Sequence, residues 1–128
     1  MKRRNLLKLL ASVPLAATGL FAKEKKKEIF LFDFYLAGFK YYKAPLIYKK
    51  LKKGETVILK PEPSNKYDDM AIEVYNINNI KLGYVPMDAN IIPYNLFNNN
   101  IEVIAKIEEI DYQAPDWEKI LIRVYQKI

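Results

Sequence analysis

Short stretches of alternating apolar and polar residues run through this chain, separated by prolines, asparagines and lysines. "IFLFDFYLAG" carries aromatic and aliphatic side chains with Asp33 as its only charge, and Gly38 ends it. That is a strand apolar on both faces, as expected at the centre of a small barrel or sandwich. In "APLIYKKLKKGE", Leu46, Ile47 and Leu51 fall near helical spacing between Pro45 and Gly54, so a short helix of about two turns is expected. "TVILKPEP" is a second strand stopped by its prolines. "MAIEVYNI" puts Ile72 and Val74 on one side and Glu73 and Tyr75 on the other, the pattern of a half-buried strand. "NNIKLGYVP" returns beside it across the turn "NINN". "MDANIIPYNLFNNN" reads as a helix capped by Asp88, with Pro93 bending or shortening it. "IEVIAKIEEID" and "EKILIRVYQKI" are two further strands joined across "YQAPDW". The sum is a mainly β chain, a small antiparallel barrel of about five or six strands with one or two short helices.

The length of 128 residues suits one domain. With no cysteine and no histidine, the chain has no disulfide framework, no zinc finger, no Cys nucleophile and no His-dependent triad. The net charge of +6 is unevenly spread: Lys2, Arg3, Arg4 and Lys8 face no acid within residues 1–22, and the remainder holds 17 basic and 15 acidic residues. Bulk charge therefore explains no partner of the main domain; local clustering would have to.

"MKRRNLLKLLASVPLAATGLFAKE" has a basic start, an apolar stretch and small residues at its end, the layout of a secretory leader. Arg3-Arg4 followed by Asn5-Leu6-Leu7-Lys8 is similar to the twin-arginine export motif. Residues 1–22 are read as a signal peptide, cleaved after Ala22 or after Gly19, and residues 23–28 as a lysine-rich linker. The main domain, residues 29–128, is then exported, to the periplasm; an uncleaved anchor is the alternative. The apolar stretch is too short and interrupted for a stable membrane span.

"LAGFKYY", "LKKGETVILKPEPSNKYDDMAIEVYN", "KLGYVP" and the closing strands together resemble the HIRAN domain family. The most specific piece is "EPSNKYDDMAIEVY", similar to the family's E-P-x-N-x-Y-D-x-x-A-I-x-V signature, and "GYVP" follows on the next strand. The resemblance covers nearly all of the main domain. It implies a modified OB-like β-barrel and a non-catalytic module that binds single-stranded DNA with a free 3′ end. It implies no cofactor. This short form carries no motor, RING or nuclease segment.

The same resemblance places Lys40, Tyr41 and Tyr42 in the family's basic-aromatic-aromatic triplet on the nucleic acid. It places Tyr67 and Asp68 in the end-binding pocket, the ring on the terminal base and the carboxylate near the terminal sugar hydroxyl. Tyr84 and Met87 stand where the eukaryotic DNA-binding members carry a His and a Lys. Single strands are held by aromatic stacking and by lysines on phosphates, and "FKYYKAPLIYKKLKK" supplies both residue types, with six lysines and no acid from Lys40 to Lys53. Taken alone, those lysines read as a solvated helix face. Asn65 reads as turn chemistry; Tyr67 and Asp68 fit either a turn or a binding site.

A second function class stays open, an exported interaction module that takes an envelope protein or a glycan in the same groove. Catalysis is not expected. The neighbouring carboxylates Asp68-Asp69 and Glu108-Glu109 point to opposite faces of an extended segment, and no metal site is indicated.

Overall fold

A computed structural model describes residues 27–128. The leader and most of the lysine-rich linker lie outside the described residues. Six strands, β1 (Glu28–Tyr35), β2 (Thr56–Pro61), β3 (Ile72–Asn76), β4 (Lys81–Tyr84), β5 (Val103–Ile110) and β6 (Ile120–Lys127), form one sheet in the order β1-β6-β5-β2-β3-β4. All the pairings are antiparallel. Two short helices, α1 (Ala44–Ile47) and α2 (Ile91–Asn98), and several 3-10 turns complete the fold.

Strand alternation sets the core. Ile120, Ile122 and Val124 of β6, Ala105 and Ile107 of β5, and Ile72 and Val74 of β3 are buried on the inner face, each two residues from the next because successive side chains change sides. Leu36, Phe39, Ala44, Leu51 and Leu82 join them from the connections and β4. Tyr48 lies edge-on to Phe39 at 5.3 Å, so it closes the core from α1's side while Lys49, Lys50, Lys52 and Lys53 remain exposed.

The curled sheet is OB-like but not a closed barrel. Strands β2 and β5 pair only through Thr56↔Lys106 and Val57↔Ala105. Beyond that point they diverge, and Phe97 of α2 lines the opening. At the other seam, a single bridge joins Ala37, just past β1, to Tyr84 of β4, with Ala37 N–H donating to Tyr84 O (2.9 Å) and Tyr84 N–H to Ala37 O (3.0 Å). Gly83 makes this approach possible, because a Cβ there would overlap the carbonyl oxygen of Ala37.

Two sequence expectations need correction. Strand β1 is not central: it lies at the sheet edge, with Phe34 its one buried residue and Ile29, Phe30 and Tyr35 exposed. Its apolar outer face is instead covered in part by neighbours on the same face, such as Arg123 over the Phe30 ring at 5.0 Å. Asp88 does not cap α2; it sits in a separate 3-10 turn (Met87–Ala89), and Asn90 holds the position before α2. Pro93 shortens the helix rather than bending it. It falls in the first turn, where the missing N–H has no partner to lose.

The turn "NINN" forms as expected. Buried Asn76 accepts from the N–H groups of Asn78 and Ile80, both at 2.9 Å, and Asn79 takes the left-handed conformation (φ 65°) that asparagine tolerates better than other side chains.

Candidate functional site

The β2–β3 connection is built by one asparagine. Asn65 Oδ1 accepts from the backbone N–H of Tyr67 (2.8 Å) and Asp68 (3.1 Å), while its Nδ2 donates to Glu62 Oε1 (2.9 Å). The loop is thereby turned back on itself, and the Tyr67 ring is left outside it, 88% exposed. Asp68 is fixed from both sides. Its Oδ1 accepts from Met70 N–H (2.9 Å) and its Oδ2 from Asn90 Nδ2 (2.7 Å). Each carboxylate oxygen keeps acceptor capacity for a further donor.

Across from this loop stand Tyr42, which follows the 3-10 turn at Phe39–Tyr41, and Tyr84 at the end of β4, their ring centroids 5.7 Å apart. Tyr42, Tyr84, Tyr67, Asp68, Asn65 and Met87 line one open groove of about 390 Å³. The closing bridge at Ala37 and Tyr84 brings the walls together, so the groove exists only because the sheet curls.

Behind Tyr84 runs a chain of polar contacts. Tyr84 Oη donates to Glu62 Oε1 (2.5 Å) and accepts from Lys81 Nζ (2.9 Å). Lys81 also pairs with Glu73 (3.1 Å), whose Oε2 accepts from Tyr75 Oη (3.0 Å). The Lys81 ammonium lies 4.4 Å from the Tyr42 ring centroid and 4.2 Å from that of Tyr84, within cation–π range. Donation from Asn65, then from Tyr84, holds the Glu62 carboxyl below its ordinary range against the opposing effect of burial. Burial works against the Lys81 charge, but the bonds to Tyr84 and Glu73 outweigh it and hold the ammonium above its usual value. Burial, followed by donation to Glu62, raises the Tyr84 phenol.

Of the residues singled out from sequence, Tyr42, Tyr67, Asp68 and Tyr84 meet in the groove. Lys40 and Tyr41 do not line it. They stand on the adjoining turn, Tyr41 73% exposed with the Lys40 ammonium 5.3 Å from its ring centroid. Asn65 does the turn work assigned to it and also lines the groove. Sequence reasoning missed Asn90, whose role depends on a contact 22 positions away. It also passed over Trp117, 69% exposed in the 3-10 turn Asp116–Glu118, which packs against the turn bearing Lys40 and Tyr41. The signal was present: a lone Trp in the polar loop "YQAPDW" has no strand alternation to bury it.

An open, strongly curled six-stranded sheet with an aromatic groove beside its seam defines a small OB-like β domain of the ligand-binding kind. Residues 29–128 match the HIRAN domain model, and the chain belongs to the HIRAN domain family. Among solved structures, it is similar to a protein from Lactobacillus plantarum at 22% identity (TM-score 0.70), over 80% of this chain and 97% of that one. It is also similar to the HIRAN domain of human HLTF at 18% identity (TM-score 0.63), over 80% of this chain and 79% of that one. These likenesses speak for the fold. No curated protein matches the chain.

Proposed function

We propose that this domain is a non-catalytic nucleic-acid-binding module that takes the free 3′ end of a single strand into the groove. Membership of a family of DNA-binding domains supports the class. The observation that carries the finer reading is the pairing of an almost fully exposed Tyr67 ring with a carboxylate, Asp68, held by Met70 N–H and Asn90. A terminal base stacks on such a ring, and a fixed carboxylate accepts from a terminal hydroxyl while repelling a terminal phosphate. Exposed Lys40 and Lys66, which lie close in sequence to the groove residues Tyr42 and Tyr67, are the lysines this reading assigns to the preceding phosphates.

The test is titration of fluorescent oligonucleotides against the domain. Binding should weaken as salt rises and weaken again when the 3′ hydroxyl carries phosphate. Tyr67→Ala should cost about 1–3 kcal/mol, the value of one stacked base, and erase the end preference. Absence of binding at low salt would reject this reading. Three tyrosines around one groove with no lining cation also suit a sugar ring. The second reading, an envelope glycan or protein met after export by the leader, would show as a partner captured from envelope extract and unaffected by nuclease.

A further inference from the structure

Lys81 lies against the groove's tyrosine wall, yet it is not among the residues that line the groove. It is held behind the wall by Glu73 at 3.1 Å and by Tyr84 Oη at 2.9 Å, and it lies against the Tyr42 and Tyr84 rings. The side chains of Lys81 and Glu73 are only 22% and 15% exposed. Among the residues lining the groove, Asp68 is the only one that carries charge.

Register explains the arrangement. Glu73 lies directly opposite Tyr84 across the β3–β4 ladder, and a bulge between Val74 and Tyr75 brings Lys81 opposite Tyr75. Glu73 and Lys81 therefore share the outer face of this strand pair with Tyr75 and Tyr84. On that face the Glu73 carboxylate accepts the Lys81 ammonium at 3.1 Å.

We propose that Glu73 is a specificity-determining residue: by holding Lys81 behind Tyr42 and Tyr84, it leaves Asp68 unopposed in the groove, so that an uncharged strand terminus is chosen over a phosphorylated one. This rests on the nucleic-acid reading of the groove. It assigns the discrimination to a pair that never touches the ligand. An ammonium released from Glu73, 4.4 Å from the Tyr42 and 4.2 Å from the Tyr84 ring centroid, needs only a change of rotamer to reach a phosphate at the groove wall, and long lysine side chains make such changes readily.

The experiment compares oligonucleotides ending in a 3′ hydroxyl or a 3′ phosphate. Threonine suits a strand but is too short to reach Lys81, so Glu73→Thr removes the one carboxylate paired with the ammonium and leaves it the neutral Tyr84 Oη and the ring faces. The wild type should prefer the hydroxyl end. In Glu73→Thr the preference should narrow by roughly tenfold, on the order of one screened unit charge. Its salt slope for the phosphate-ended strand should steepen by about 0.7, one single-strand phosphate contact. Adding Lys81→Met to Glu73→Thr should restore the wild-type preference, which a merely structural defect would not do. An unchanged preference and slope in Glu73→Thr, or failure of the double variant to restore them, overturns the inference and leaves the reading of the groove standing. A wild type that binds neither oligonucleotide removes both. Should Glu73→Thr not fold, Lys81→Met alone decides: it should keep the wild-type salt slope, and a slope lowered by one contact overturns the proposal.

Discussion

Asn65 concentrates most of the local order of the groove in a single amide. Its oxygen serves two backbone N–H groups and its nitrogen serves Glu62, so the loop needs no hydrophobic anchor of its own and Tyr67 is free to face solvent. Asn65→Ala should remove all three bonds and lower stability by about 1–2 kcal/mol, because the partly buried Asp68 N–H and Glu62 carboxylate lose a partner. The urea midpoint would report this. The variant should also lose the 3′-end preference ascribed to Asp68 while keeping salt-dependent binding through lysines. Retention of both stability and end preference would show that the loop is held by other contacts. Turn chemistry at Asn65 was legible from residue types and spacing alone. Which side Tyr67 would face was not, since a turn tyrosine packs inward or outward according to what the rest of the sheet offers it.

At the scale of elements, β4 and Ala37, two residues past β1, form the seam on which the groove depends. The seam has one bridge, and Gly83 leaves room for it. Gly83→Ala should therefore force Ala37 and Tyr84 apart, at a cost of about 1–3 kcal/mol typical of added volume in packed surroundings. Hydrogen exchange would show it as lost protection of the Ala37 and Tyr84 amides, with little change in β5 and β6. Protection kept at both amides would mean the seam tolerates a Cβ. Strand identities were well marked by alternation in β3, β5 and β6, where one face is buried and the other is not. The placement of β1 was not, because "IFLFDFY" looks central when read alone. An edge strand on which Phe30 and Tyr125 pack edge-to-face at 6.4 Å has the same composition.

At the scale of the whole molecule, opposed charges on β3, β4 and the connection after β2 tie stability to pH at both ends of the scale. The Glu62 carboxyl is held below its ordinary value of 4.5. A group depressed on folding adds stability above its unfolded value and loses that contribution as pH falls through the folded one. Stability should accordingly decline in the acid range below about pH 4.5, and Glu62→Gln should flatten that limb in denaturant titrations. Lys81 has the opposite sign. Raised above the ordinary 10.5, it contributes fully below that value and loses the contribution as pH rises through its folded one, so Lys81→Met should flatten the alkaline limb. A Glu62→Gln profile that follows the wild type in acid would remove Glu62 from this account.

The residues of the chain by themselves determined that it is a small, mainly β domain, where its strands and turns fall, and that "EPSNKYDDMAIEVY" marks a HIRAN domain. Those properties are carried by short-range periodicity, by turn chemistry and by ordered motifs. Tertiary structure alone decided that Tyr42, Tyr67, Asp68 and Tyr84 share one groove that Lys40 and Tyr41 do not line, that Asn90 reaches Asp68, and that Lys81 pairs with Glu73. Each of these depends on how far the sheet curls and which strands meet at its seam. Curl and seam arise from bulges, from one glycine and from the competition of many side chains for a single interior, and no local stretch of sequence encodes that competition.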